Sequence, residues 1–313
     1  MNKIAFLFLT IDNLKHSSVW EEYFKGVDKK KYNVYVHPKY KDKVSDDILK
    51  GNIIDDEEVD IVAPNKNIVV IETKHGFLVE AMIKLMNAGL KEKDNKFFVF
   101  VSDSCIPIKR FDVLYEEVFK IGKSIVGKMF LKLWDKGDGK KSGRYGDAVQ
   151  KVKKTEVIPK KCYSKFSQWS ILIRGDVEKI VVSKYLKFFY VMNAGDEFYL
   201  SILKCDGFDY HDLPSTYVDW AISDDFGSKI HKIQKELDKG LQKYNYGVGE
   251  ENRLILRDII GKLKVESSKL SSHPREFSKI TGRDIGILKQ SKAFFARKFS
   301  VDSNISYVID KIW

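Results

Sequence analysis

Asp196-Glu197-Phe198-Tyr199-Leu200 sets two acids at the head of an apolar run, where a carboxylate can stand at the rim of a core with solvent on one side. A carboxylate so placed can take a proton from a hydroxyl while that oxygen attacks carbon. Far downstream, Ala296-Arg297-Lys298-Phe299 offers two cations whose donors match phosphate oxygens without a bridging ion. Lys96-Phe-Phe-Val-Phe-Val-Ser-Asp-Ser-Cys-Ile-Pro107 reads as a buried strand ending in a polar turn. Its Asp103 falls where open α/β sheets contact ligands. One acid, a cationic pair and a strand-end aspartate fit group transfer from a phosphorylated donor such as a sugar nucleotide.

The count of acids narrows the chemistry. Transfer to a hydroxyl with inversion needs one carboxylate, here Glu197, whereas glycoside hydrolysis usually employs two. The departing diphosphate must be neutralised by a metal or by fixed cations. Metal-using enzymes of this type place Asp-x-Asp after a buried strand, but Val101-Ser-Asp-Ser-Cys105 carries cysteine in place of the second acid. That weakens the metal option without closing it, and no other cofactor is expected. Each residue also has a plainer reading. Acids are common at helix N-termini. Arg297 and Lys298 fit an ordinary exposed pair, Asp103 a turn former, and His37 at the end of a strand a structural histidine. Trp169 and Tyr217-Val-Asp-Trp220 fit either a sugar-stacking wall or core.

The elements that must position these groups alternate. Residues 3–9 read as a strand, 19–27 as a helix capped by Ser17-Ser18, 32–37 as a strand, 68–71 as a short strand, and 97–101 as a buried strand. Residues 76–90 read as a helix with Leu78, Met82, Leu85 and Met86 on one side. This alternation predicts an α/β fold with a mainly parallel central sheet flanked by helices. Residues 42–60 are a polar, acid-rich excursion. Residues 137–146 are a glycine-rich loop that could act as a lid. Residues 168–173 predict a strand, and 177–188 and 197–203 predict helices, the latter capped by Asp196. Residues 223–272 are charged and helical in pattern, an insertion on the outside of a single domain spanning 1–313.

Bulk properties exclude several classes. In 313 residues, 43% hydrophobic content with 13% aromatic supports a sizeable core, so wholesale disorder is excluded. The longest apolar runs are strand-length, so no membrane span is expected. With no secretory signal read at the N-terminus, the expectation is a cytoplasmic enzyme, bacterial or viral. Cys105, Cys162 and Cys205 are odd in number and widely spaced, which predicts free thiols. The net charge of +11 is spread over most segments, with no nucleic-acid-binding motif beside it. No Walker loop, Gly-x-Ser-x-Gly elbow or Rossmann fingerprint occurs. A catalytically inactive transferase-fold protein binding nucleic acid or carbohydrate is the alternative.

Together these segments resemble the core-2/I-branching β-1,6-N-acetylglucosaminyltransferase family, which includes peptide O-xylosyltransferases and plant relatives. The matching pieces are Lys3-Ile-Ala-Phe-Leu-Phe-Leu-Thr10, Trp20-Glu with Phe24-Lys-Gly26, Tyr35-Val-His37, Lys74-His-Gly-Phe-Leu-Val79 and Phe98 to Pro107. Further along they are Gly143-Arg-Tyr145, Ser167-Gln-Trp169, Asp196-Glu-Phe198, Thr216-Tyr-Val-Asp-Trp220 and Phe295-Ala-Arg-Lys-Phe299. They follow the family's order across nearly the whole chain.

The resemblance implies a GT-A type nucleotide-diphospho-sugar transferase fold and an inverting mechanism. It also implies a UDP-sugar donor handled without metal and a glycan or glycoconjugate acceptor. N-acetylglucosamine, xylose and glucose remain open as the sugar. Glu197 matches the family's general base, and Lys298 a lysine that binds the donor diphosphate. Arg275, in His273-Pro-Arg-Glu-Phe277, matches that lysine's arginine partner, with Arg283 as second choice; Asp284 falls on a family aspartate. Leu9, Thr10, His37 and Asp103 are expected to seat the nucleoside or sugar, and Trp169, Tyr217 and Trp220 to wall the acceptor. Residues 1–130 would then bind the donor, and 131–313 the acceptor with the catalytic acid. Where the family often has His-Val-Asp after its second strand, this chain has His37-Pro38-Lys39. Animal members carry several disulfides and a Golgi anchor; neither is expected here.

Overall fold

The computed structural model of the chain describes residues 1–54, 77–129, 131, 135, 143–219 and 274–313. Its centre is β1 (Lys3–Thr10), which runs parallel to β2 (Tyr32–Pro38) on one side and to β3 (Asn95–Ser102) on the other. Side chains alternate across a strand. Ile4, Phe6 and Phe8 therefore enter one core with Phe97, Val99 and Val101, while Ala5, Leu7 and Leu9 enter a second with Phe98 and Phe100. Burial on both faces is why the two strands read as unbroken apolar runs. Beyond β3 the sheet continues through β8 (Ile171–Ile173), β5 (Ser124–Ile125) and β9 (Tyr210–His211), in the order β2-β1-β3-β8-β5-β9. Only β8 is antiparallel among the described strands of this sheet. The mainly parallel α/β sheet expected from the alternation is present.

Helices cover both faces. On one, α1 (Ser17–Phe24) and α4 (Phe111–Ile121) bring Trp20, Tyr23 and Phe111 around Phe6. On the other lie α3 (Val79–Leu90), α6 (Arg174–Val181) and α7 (Leu186–Tyr190), which bury Met82, Leu85, Met86, Val177, Ile180, Phe188 and Phe189. Shorter helices are α2 (Asp47–Lys50), α5 (Gly143–Val149), α8 (Ser201–Cys205) and α9 (Gly282–Gln290).

Two small sheets matter for the site. Strands β10 (Thr216–Val218), β11 (Phe295–Arg297) and β4 (Ile106–Pro107) pair in that order, and β6 (Lys128–Met129) pairs antiparallel with β7 (Lys165–Phe166). Pairing of β11 with β4 draws the tail back to the end of β3, where the Phe299 N–H donates to the Ser104 carbonyl over 3.2 Å.

Several expectations need correction. Glycine content predicted a loop over 137–146, but residues 143–149 form α5, because Tyr145 packs edge-on against Tyr163 and Phe188. The helix expected over 177–188 is two helices, α6 and α7, separated by a turn at Ser183. The free thiols expected at Cys162 and Cys205 are joined in a disulfide, with their Cα atoms 5.2 Å apart. Their 43-residue separation hides the bond, since α8 folds back onto the segment before β7. Cys105 alone is a free, buried thiol.

Residues 218–277 cluster as a second unit, of which 218–219 and 274–277 are described. The expected insertion at 223–272 lies wholly outside the described residues, as do the 68–71 strand and residues 137–142 of the loop. Among the described residues no helix is long and apolar enough to cross a membrane.

Candidate active site

Glu197 was expected to open a helix capped by Asp196. It closes a single 3-10 turn, Gly195–Glu197, and the helix α8 begins only at Ser201. Phe198, Tyr199 and Leu200, the three residues after Glu197, are all buried. Phe198 stacks on Tyr163 with ring centroids 4.9 Å apart and planes 4° from parallel. The chain enters the turn through Ala194 at φ 55° and through Gly195, where a Cβ would overlap the Phe189 carbonyl oxygen of α7. Ala194 in this left-handed conformation costs on the order of 1 kcal/mol. The turn is held by its surroundings.

Around Glu197 lie three charges that sequence reasoning did not assign. Lys165 on β7 places Nζ 3.0 Å from Glu197 Oε2 and 3.9 Å from Asp135 Oδ2. Arg144, in the first turn of α5, reaches Glu197 Oε2 and Asp135 Oδ1 at 3.3 Å each. Two cations thus share two acids, and both lie near the Phe198 ring. Asp135 is fully buried, while the Glu197 side chain is 27% exposed. Of the two carboxylates, only Glu197 opens toward an incoming molecule. Arg144 sits within the Gly143-Arg-Tyr145 motif, and Lys165 is the one cation in the run Cys162-Tyr-Ser-Lys-Phe-Ser-Gln-Trp169. Neither feature is a signal by itself, because the partners lie across long stretches of sequence.

Asp196 does not cap. It is buried, its Oδ1 has no hydrogen-bond partner among the described residues, and its pKa is pushed up to about 6. Burial is the main cause, with the neighbouring Glu197 charge second. A folded-state pKa above the unfolded value of about 3.9 means that the folded protein binds this proton more tightly. The group therefore destabilises the fold above pH 6, and that cost disappears as pH falls toward 4. Wild type should gain roughly 2 kcal/mol relative to Asp196→Asn between pH 7.5 and pH 4. Urea unfolding at both pH values checks this; a constant difference would contradict it.

On the other side of the site, register sets the carboxyl edge of the sheet. Leu9 pairs with His37 on β2 and with Ser102 on β3, and Thr10 pairs with Pro38. Leu9, Thr10, His37 and Asp103 are thus brought to one edge. Burial raises the Asp103 pKa, opposed by the nearby charges of Lys15 and Arg297. The Lys15 N–H donates to the Asp103 carbonyl over 3.0 Å. Cys105, where a second acid would stand, is a buried thiol whose pKa is pushed up by burial.

Arg297 and Lys298 are half-buried, which corrects the reading of an ordinary exposed pair. The Arg297 guanidinium lies over Trp169 at 4.5 Å, and its Nε is buried without a hydrogen-bond partner among the described residues. Trp169 is only 6% exposed, so its ring supports Arg297. Tyr217 is half-buried, and Trp220 lies outside the described residues. Arg283 is exposed in the first turn of α9, behind a capping box between Thr281 and buried Asp284. Arg275 belongs to the second unit, where it pairs with Asp219 at 3.2 Å and covers Phe277 at 4.5 Å. The segment from Lys165 to Trp169 joins the two halves of the site. Four residue steps separate the partner of Glu197 from the platform under Arg297, at most about 14 Å of chain.

The sequence pattern of the family described as "Branch: Core-2/I-Branching enzyme" matches residues 4–239. Among individual proteins, "Glycosyltransferase BC10" of Oryza sativa subsp. japonica is 27% identical over 179 residues. That alignment takes in 57% of this chain and 40% of the rice protein, so the chain spans well under half of that relative's length. The family is GT-A-like, in agreement with the sheet described above. The match takes in the motifs from the first strand to Thr216-Tyr-Val-Asp-Trp220 and stops short of Phe295–Phe299; over that span the chain belongs to the core-2/I-branching enzyme family, a family of glycosyltransferases.

Proposed function

We propose that the chain moves a sugar from a UDP-sugar to a hydroxyl of a glycan or glycoconjugate, with inversion and without a metal ion. The observation that carries this reading is the pairing of a solvent-open acid, Glu197, with tail cations on one connected scaffold, the Lys165–Trp169 segment. Glu197 removes the proton from the acceptor hydroxyl, whose oxygen bonds to the anomeric carbon. The bond from that carbon to the diphosphate breaks on the opposite face. The negative charge so developed is met by Lys298 and Arg297, and Asp103 with the ends of β1 and β2 seats the rest of the donor.

Release of UDP from a panel of UDP-sugars, with and without glycan acceptors and chelator, tests this reading. Acceptor-stimulated release that survives chelation is the expected result. Abolition by chelator would remove the metal-independent part, and no release from any donor would remove the whole. Lys298→Ala should weaken UDP binding by about 10- to 100-fold, the worth of one charge-assisted hydrogen bond of about 1.5–3 kcal/mol. Unchanged affinity by calorimetry would take Lys298 out of the site.

A further inference from the structure

We propose that Lys165 is a positioning residue for the transfer, holding the Glu197 carboxylate in the orientation from which it takes the acceptor proton. The inference rests on the reading of Glu197 as base. A glutamate on a one-turn 3-10 segment has three side-chain torsions and no regular element to aim it. Leaving them free would spread the carboxylate over several rotamers. Lys165 removes that freedom from a rigid base. Its side chain is 6% exposed, and β7 is paired to β6 through Met129.

The residues just before Lys165 are fastened to the helix just after Glu197. The Ser164 N–H donates to Ser201 Oγ, and that hydroxyl donates back to the Ser164 carbonyl, each over 2.9 Å. Lys204 Nζ donates to Ser164 Oγ at 2.6 Å, and Cys162 is bonded to Cys205. Lysine and acid therefore ride on one fastened unit.

The charges stay matched through the reaction. Lys165 and Arg144 both contact Glu197 through Oε2, which turns the other carboxylate oxygen to the acceptor. When Glu197 gains the acceptor proton it becomes neutral, and the cations keep buried Asp135 as their shared counter-charge. A buried ion pair that merely held the fold together would show no link to the chemical step.

Kinetics of the full chain separate the two roles. Lys165→Met should lower kcat by about 100-fold, the usual effect of misplacing a reacting group by an ångström. The donor KM and UDP affinity should not change, and Lys165→Arg should restore most of the rate. In a Glu197→Gln background Lys165→Met should have no further effect on the residual rate, because its route of action is already gone. Wild-type kcat in Lys165→Met, or an undiminished loss in the Glu197→Gln background, would overturn the proposal. If Lys165→Met lacks a melting transition, Lys165→Gln in the same cycle carries the test, and a rate loss additive with Glu197→Gln decides against positioning. Should Glu197→Gln itself keep the wild-type rate, the base reading fails. An inactive Glu197→Gln beside a fully active Lys165→Met sinks only the positioning role.

Discussion

Glu197→Gln is expected to lower the rate of sugar transfer by roughly 10²–10⁴-fold, the range over which a positioned general base contributes. The substitution keeps the shape of the side chain and removes the lone function on which the proposed chemistry depends. Glutamine can still accept hydrogen bonds from Lys165 and Arg144, so the turn at Gly195–Glu197 should persist. UDP affinity should be unchanged, because the diphosphate is met by the tail. Calorimetry beside initial-rate measurement separates the outcomes. Equal losses of binding and turnover would show a ligand contact or a folding defect instead of a base. Glu197→Asp, which withdraws the carboxylate by one C–C bond of about 1.5 Å, should also transfer poorly, since a shift of that size costs about 100-fold.

The second large effect is expected at the entrance to the same turn. Gly195→Ala would drive a methyl group into the Phe189 carbonyl oxygen, a backbone atom in α7 whose side chain is fully buried. Neither partner can yield without moving the helix or the turn, so destabilisation of about 3 kcal/mol or more is expected by urea unfolding. Transfer should fall with it, as Glu197 is two residues away. Ala194→Gly is the control on the neighbouring residue. Glycine adopts φ 55° without the steric cost borne by alanine, so this variant should be tolerated with its activity intact. A stable, active Gly195→Ala would mean that the turn is not constrained in the way described.

The frame of the fold was legible because it is written in local pattern. Strands β1 and β3 are apolar on both faces, the pattern of strands inside a parallel sheet, so the sheet and the strand end at Asp103 were legible, whereas the direct pairing of β1 with β3 was not. The ordered motifs led to the same family as the comparison over residues 4–239. Glu197 could be singled out as an acid beside an apolar run, but not its setting. Helical propensity suggested a capped helix, and a glycine that alone fits beside Phe189 leads the chain into a 3-10 turn instead. Lys165, Arg144 and Asp135 meet Glu197 across long stretches of sequence, and no spacing rule connects them. Arg297 looked like a surface cation because the ring beneath it, Trp169, comes from a segment more than a hundred residues earlier.

The bond between Cys162 and Cys205 closes a ring of chain that contains Lys165, Trp169 and Glu197. Linking residues 43 apart restricts the unfolded chain by about 4 kcal/mol. It also decides what survives damage. The exposed stretch between α6 and α7, at Val182 and Lys184, lies inside the ring. A peptide bond severed there opens the loop without parting its two ends, and the lysine, the indole and the acid remain on one covalent body.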